Sequence, residues 1–317
     1  MKTTFQPGDQ IDHYEIDRVV QQSGTATVFH GKDLRTGREV AIKVPGPEVE
    51  SDPVFLERFQ REEEIGKSMD HPGILKVLSD GERSQPYIVT EWFDGRPLSA
   101  ILAEEKIPHE RAVRIALNIT SALTHIHDHG VVHRDLRPDN ILVNSDDQIK
   151  LIDFGVAAKI GARRVTFTSL AQVVGTSEYV SPEELKGQRG SARSDVYALG
   201  VILYRMLTGS TPFPGTGPYD RLLKHPVPPR EIDPSISPQL QEVLYRSIER
   251  DPKRRYDNAH EFAVDLGNLD RVGVSDRAEL KEWKTEQASR RRRILFFAAI
   301  ALIPAIIFAL LLYVSKK

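Results

Sequence analysis

Residues 133–140 read His133-Arg134-Asp135-Leu136-Arg137-Pro138-Asp139-Asn140, and no other stretch limits the fold as much. The spacing sets a carboxylate, Asp135, and a carboxamide, Asn140, five residues apart on a short loop. The apolar run Ile141-Leu142-Val143 leaves that loop as a strand, and Ile149-Lys150-Leu151-Ile152 reads as its hairpin partner. The partner delivers a second carboxylate, Asp153, in Asp153-Phe154-Gly155. Two carboxylates and an amide on neighbouring strand ends suit a hard cation such as Mg²⁺, which binds through oxygen and bridges phosphates.

The 317 residues allow about two domains, or one bilobal unit with an appendage. Charged residues at 28% and hydrophobic residues at 40% fit a globular chain with a sizeable core. A net charge of -2 leaves no broad basic surface, so no nucleic-acid partner is expected. The absence of cysteine excludes disulfides, zinc–thiolate sites and thiol nucleophiles. Residues 1–12 lack the apolar core of a secretory signal.

The C-terminus differs. Ile294 to Val314 is a 21-residue run without a charged or strongly polar side chain. As a helix it spans about 31 Å, close to the hydrocarbon thickness of a bilayer. Pro304 lies within it, which membrane helices tolerate. Arg290-Arg291-Arg292-Arg293 precede the run and only Ser315-Lys316-Lys317 follow it. The larger basic cluster favours the cytoplasmic side, so the expectation is a single-pass cell-membrane protein with a cytoplasmic body and no outside sensor domain.

The order of motifs resembles the eukaryotic-type serine/threonine protein kinases, and most closely their membrane-anchored bacterial branch. His133-Arg134-Asp135-Leu136 through Asn140, followed by Asp153-Phe154-Gly155, matches H-R-D-L-x-x-x-N and D-F-G. Val40-Ala41-Ile42-Lys43 matches V-A-I-K, and Gly175 to Glu183 resembles the docking loop G-T-x-x-Y-x-S-P-E. The resemblance implies an α+β bilobal fold, with a small antiparallel β-sheet lobe plus helix and a larger, mainly helical lobe. A C-terminal transmembrane helix completes the expected architecture. The boundaries are a kinase domain at 13–270 (small lobe about 13–93, large lobe about 94–270), a charged linker at 271–293 and a span at 294–314.

It also implies ATP with Mg²⁺, or Mn²⁺ in its place, as cofactors, and protein substrates as partners. Asp135 accepts the proton of the substrate hydroxyl, and Asn140 and Asp153 hold the metal. Lys43 meets the α- and β-phosphates and pairs with a glutamate on the helix Pro53 to Met69, where Glu62, Glu63 and Glu64 compete. Counting back from His71-Pro72 selects Glu62 and leaves the other two on a solvated face. Val20, Val28, Ala41 and Leu142 line the purine site, Glu91 and Phe93 form its hinge, and Thr90 guards the pocket behind. Arg137 stands where most serine/threonine kinases have lysine, keeping a positive charge near the γ-phosphate. Thr176 lies close to the catalytic aspartate, and Asp195 and the Glu183–Arg255 pair brace the large lobe. Arg134 beside Asp135 implies control by activation-segment phosphate, with Thr168, Thr166 and Ser169 as acceptors, and a homodimer for trans-autophosphorylation.

The sequence departs from the family in its glycine-rich loop. With Val28 as the motif valine, Gln21, Ser23 and Ala26 fill the glycine positions and only the adjacent Gly24 remains. Weaker or slower nucleotide engagement is expected, because these side chains restrict the positive φ and close approach that glycine permits. Gly66, one turn after Glu62, implies a loosely held helix whose filling by Ala or Leu raises basal activity. Ile74 to Leu78 and Pro86 to Glu91 read as strands. His125, His127 and His129 alternate on a helix, so surface positions are expected for them. The leading reading is an active serine/threonine kinase with protein substrates; the alternative is a catalytically weak, membrane-tethered pseudokinase scaffold.

Overall fold

The structure is a computed structural model describing residues 5–46, 53–79, 81–159, 178–213 and 220–277, with isolated positions at 280, 283, 301, 302 and 304. The activation-segment hydroxyls Thr166, Thr168 and Ser169, the docking-loop Thr176, and most of the apolar run 294–314 lie outside the described residues. Among the described residues no helix is long and apolar enough to cross a membrane.

The small lobe is one antiparallel sheet in the order β1 (Gln10–Ile11), β2 (Tyr14–Gln22), β3 (Ala26–Asp33), β4 (Glu39–Pro45) and β5 (Ile88–Glu91). Period-two alternation turns Tyr14 and Ile16 of β2, and Val40, Ile42 and Val44 of β4, to one face. There they bury with Phe5, Ile11, Phe29, Tyr87 and Val89. Helix α1 (Pro53–Ser68) joins β4 to the rest of the lobe, and its Ile65, with Met69 just beyond it, enters the core of the large lobe.

Ile74 to Leu78 does not form the expected regular strand. It makes two isolated bridges, Ile74 to Leu151 in parallel and Val77 to Thr90 in antiparallel. Leu75 N–H donates to Leu151 O at 3.1 Å and Glu91 N–H to Lys76 O at 2.9 Å, so the segment serves two sheets and completes neither ladder. The next strand also starts later than expected, at Ile88 rather than Pro86.

In the large lobe, β6 (Arg96–Pro97), α2 (Leu98–Glu104) and α3 (His109–Asp128) lead to β7 (Val131–Val132) and the loop at Asp135. A 3₁₀ turn, Pro138–Asn140, opens β8 (Ile141–Val143), which pairs with β6 and with β9 (Ile149–Leu151). Strand β10 (Ala158–Lys159) pairs with β7. Helices α4 (Pro182–Leu185), α5 (Ala192–Thr208), α6 (Asp220–Leu223), α7 (Pro229–Ile232), α8 (Pro238–Ser247) and α9 (Ala259–Gly267) follow.

The patterns of α3 and α5 explain the packing. On α3 one stripe is buried: Ala112, Ile115, Ala116, Ile119, Leu123 and Ile126. Helix α5 is buried on every side from Ser194 to Leu207 except at Arg205, the mark of a helix enclosed by others. Ser191 caps its start with Ser194, and Gly209, with φ of 77°, ends it in the left-handed conformation that glycine adopts without strain.

The chain beyond α9 does not run free from 271. Arg277 reaches α8, donating to Glu242 at 2.8 and 3.0 Å and to Glu249 at 2.7 Å, with its guanidinium over the Tyr245 ring. The expected linker, 271–293, thus includes an anchored arginine.

Candidate active site

Lys43 projects from the centre of β4, where its neighbours Ile42 and Val44 are buried. Its Nζ lies 2.7 Å from Glu62 Oε1 and 2.6 Å from Oε2. Burial opposes the charge on Lys43, but the carboxylates of Glu62 and Asp153 outweigh it and hold the ammonium above its ordinary value. Of the three competing glutamates, the structure brings Glu62 to the lysine. Glu63 is not solvated: it is buried and paired with Lys67 at 2.7 Å and Arg83 at 3.0 Å.

Gly66 also differs from expectation. A Cβ placed there would overlap Cγ2 of Val77, so the missing side chain is what allows α1 to lie against the 74–78 segment. Val77 is β-branched and stiff at χ1, so it yields poorly to an added methyl.

Asp135 and Asn140 are joined directly. Asn140 Nδ2 donates to Asp135 O at 2.8 Å and to Asp135 Oδ2 at 3.0 Å, which fixes the carboxamide and turns Oδ1 away from these bonds. Burial raises the Asp135 carboxyl; His133 opposes this and Asp153 adds to it. Asp153 adopts a left-handed backbone with φ of 66° and accepts the Gly155 N–H at 3.1 Å. Burial pushes its carboxyl up, but Lys43 and the Gly155 N–H hold it below the ordinary carboxylate value. Left-handed non-glycine residues cost about 1–3 kcal/mol and persist where surroundings over-determine them.

The loop carrying Asp135 is braced from beneath. Asp195 of α5 accepts His133 N–H and Arg134 N–H, each at 2.9 Å, and Arg134 has φ of 66°. His127 Nε2 donates to the same carboxylate at 2.9 Å. His127 is thus a buried brace and not a surface histidine. His129 keeps the expected surface position, and His125, one turn away, stacks on it with ring centres 4.2 Å apart. Only His127 points to α5, which i, i+4 geometry explains and the bare alternation did not reveal. Among the described residues no group of three or more His, Cys, Asp or Glu could hold a metal ion.

Glu183 and Arg255 form the expected pair in full, with two bonds of 2.7 Å and almost no exposure. Arg205 donates to Tyr179 OH at 2.7 Å and Arg221 to Val180 O at 2.6 Å, two anchors of the docking loop that sequence reasoning missed. Arg137 is held by Asp139, with Nε to Oδ2 at 2.7 Å, a partner equally unforeseen.

The remaining candidates differ in burial from their neighbours on the same strands. Val28, Ala41, Thr90 and Leu142 are half-buried, whereas their strand neighbours Phe29, Ile42, Val89 and Val143 are buried. Glu91 accepts Lys150 Nζ at 2.5 Å and Lys76 N–H at 3.0 Å, and Lys150 also sits 5.9 Å from the centre of the Phe93 ring. Val20 falls in a register shift of β2 and is exposed. The loop holding Gln21, Ser23, Gly24 and Ala26 is a tight hairpin with Gln22 opposite Thr27. Ser23 Oγ donates to Ala26 O at 2.9 Å and accepts Ala26 N–H at 3.1 Å, so a side chain fastens the turn.

Comparison with known proteins agrees with this geometry. The family model described as the protein kinase domain matches residues 14–263. A probable serine/threonine-protein kinase of Streptomyces coelicolor is 38% identical over 263 residues, covering 80% of this chain and 39% of its own length. The serine/threonine-protein kinase PknB of Mycolicibacterium smegmatis is 37% identical over 265 residues, covering 80% of this chain and 42% of its own. The chain therefore spans only about two fifths of the curated relatives it matches. Among solved structures, the kinase domain of Mycobacterium tuberculosis PknI superposes with a TM-score of 0.66 at 26% identity, covering 84% of this chain and 100% of that one. With Lys43 on Glu62, Asp135 on Asn140 and a matching family model over most of its length, this chain belongs to the protein kinase domain family.

Proposed function

We propose that the protein is an ATP-dependent kinase that phosphorylates serine and threonine hydroxyls of proteins. The observation that carries this is the convergence of a half-buried, paired Lys43 with Asp153, and of Asn140 with Asp135, at one site. In this reading Lys43 orients the α- and β-phosphates while Glu62 keeps it aimed. Asp135 orients the acceptor hydroxyl and takes its proton, a role helped by a carboxyl raised by burial. Positioning and electrostatics carry most of phosphoryl transfer, so rigid bracing of this loop by Asp195 matters more than any extreme basicity.

Asn140 and Asp153 would hold Mg²⁺. Their donor set fits: Asn140 commits its nitrogen to Asp135 and keeps Oδ1 for a cation, and Asp153 offers a carboxylate held low. Mg²⁺ takes one or two protein oxygens and completes its shell with phosphate and water. Bound there, it would neutralise charge on the phosphates. Arg137, tied to Asp139, holds a fixed positive charge beside the loop. The serine-fastened hairpin, in place of a glycine arch over the phosphates, favours weaker or slower nucleotide engagement.

The names of the curated relatives and the sequence of the docking loop support serine/threonine specificity. The catalytic unit is taken as 13–270, with 271–293 as linker. The 294–314 run serves as a single-pass anchor that leaves the kinase on the cytoplasmic face, a reading supported by exposed, helical Ala301, Leu302 and Pro304. Autophosphorylation between two copies at Thr168, Thr166 or Ser169 would give Arg134 an anion to meet.

The test incubates the full chain in detergent with MgATP and maps phosphorylated residues by mass spectrometry. Phosphoserine and phosphothreonine that vanish with EDTA are expected. Phosphotyrosine alone, or no transfer, would contradict the reading.

A further inference from the structure

Glu62 and Glu63 are consecutive on α1, so their side chains leave the helix about 100° apart. One faces β4 and Lys43, the other the connection between Leu78 and β5. There Arg83 Nη2 donates to Glu63 Oε2 at 3.0 Å, and Lys67, one helical turn on, lies 2.7 Å from Oε1.

Arg83 is itself fixed. Its other Nη donates to the Tyr87 carbonyl, and its guanidinium lies 5.6 Å from the centre of the Tyr87 ring. Tyr87 is 2% exposed and packs edge-on to Tyr14 in the small-lobe core. Its hydroxyl donates to Asp12 Oδ2 at 2.5 Å, and Ser84 N–H donates to the same oxygen at 3.2 Å. Asp12 has φ of 52°, a left-handed corner between β1 and β2. A continuous path thus runs from the N-terminal corner through Asp12, Tyr87 and Arg83 to Glu63, beside the glutamate that holds Lys43.

The outer face of α1 needs such a hold. Val77 packs against Gly66, but glycine in the helix interior still costs about 1 kcal/mol of intrinsic propensity relative to alanine. The Lys43–Glu62 pair is partly exposed, at 26% and 15% of the two side chains, so it does not by itself fix where the helix sits.

We propose that Arg83 and Glu63 are positioning residues for phosphotransfer: they clamp the outer face of α1 and so keep Glu62 within reach of Lys43. The effect on rate rests on the kinase reading above, whereas the position of the helix does not. The clamp extends control of α1 to Asp12, which anchors the connection that bears Arg83.

The chain has no cysteine, so two spin labels can be placed without background, one by Gln60→Cys on the exposed side of α1 and one by Arg35→Cys at the exposed β3–β4 turn. Distance distributions are measured by pulsed electron resonance on the full chain in detergent, with kcat for phosphotransfer measured alongside. A single narrow distribution is expected for the parent, and a broadened or two-peaked one for Arg83→Ala and Glu63→Ala. The same variants should lose about tenfold in kcat, the scale of one charged hydrogen bond, with KM for the acceptor protein unchanged. Arg83→Lys, which keeps the charge facing Glu63, should recover most of both signals, and it covers the case in which Arg83→Ala fails to fold. An unchanged distribution in both alanine variants would overturn the proposal, as would a broadened one with unaltered kcat. A chain that transfers no phosphate would refute the kinase reading while the distance measurement still decides the clamp.

Discussion

Asp195 and Arg134 meet through the backbone: Asp195 Oδ1 accepts the Arg134 N–H at 2.9 Å, at a residue whose φ is 66°. The bond holds the residue before Asp135 in a conformation that arginine rarely adopts, while Oδ2 takes the N–H of His133. Burial pushes the Asp195 carboxyl up, yet His127, His133 and the Arg134 N–H keep it below its ordinary value. Asp195→Asn turns one acceptor into a donor and strands a buried N–H. The cost should be about 1.5–3 kcal/mol of stability for each charged bond lost. Urea unfolding measures it, and phosphotransfer should fall at the same time because Asp135 loses its support.

The Glu183–Arg255 pair is buried and bidentate, with Ser194 Oγ donating to Glu183 at 2.8 Å. Removing one partner leaves an uncompensated buried charge, so Arg255→Ala should cost about 3–5 kcal/mol in denaturant unfolding. Replacing Arg193, which pairs with Asp257 at the exposed surface, should cost less than about 1 kcal/mol.

Glu184 gives a pH signature. Burial, aided by the Asp195 and Glu183 carboxylates, outweighs the Ser181 hydrogen bonds and raises its carboxyl to about 7 from an ordinary 4.5. Between these values the folded protein binds a proton that the unfolded chain has released, so this group's contribution makes stability fall as pH rises. Below both values it contributes no slope, and above both the penalty is complete. Glu184→Gln should therefore unfold later than the parent at pH 8 and show little difference at pH 4, measured by urea midpoints at the two pH values.

Much of the site was legible in the sequence because its parts sit on local spacings. Asp135 to Asn140 spans one loop, Asp153 follows a hairpin, and Lys43 follows the apolar run Val40-Ala41-Ile42. Glu62 could be separated from its neighbours only by counting from His71-Pro72, since three consecutive glutamates look alike without the partner each one meets. Beyond the pairs that the family motifs mark, such as Glu183 with Arg255, the bonds between distant segments were not legible. His127 to Asp195, Arg83 to Glu63, Arg221 to Val180 and Arg277 to Glu242 each join residues at least 20 positions apart, and a charged side chain on a helix reads as solvated until its partner is known. Gly66 was misread for the same reason: a gap in an apolar stripe looks loose until Val77 is found to fill it.

Gly66 accordingly gives a prediction opposite to the one its sequence context invites. Gly66→Ala gains helix propensity of about 1 kcal/mol but forces Val77 or the helix to move, and overpacking costs about 1–3 kcal/mol. Basal phosphotransfer should fall, not rise, and Val77→Ala in the same chain should restore it by making room for the new methyl.

In the proposed reaction Asp135 handles the acceptor proton, beside Asn140 and Asp153 as the residues that would hold Mg²⁺. The most direct measurement is the rate of γ-phosphate transfer by the full chain and by Asp135→Asn, with nucleotide binding followed in parallel. Asp135→Asn should bind MgATP about as well as the parent and transfer phosphate about 10²–10⁴-fold more slowly, the range expected for losing a positioned base. Equal rates from the two proteins would contradict the account.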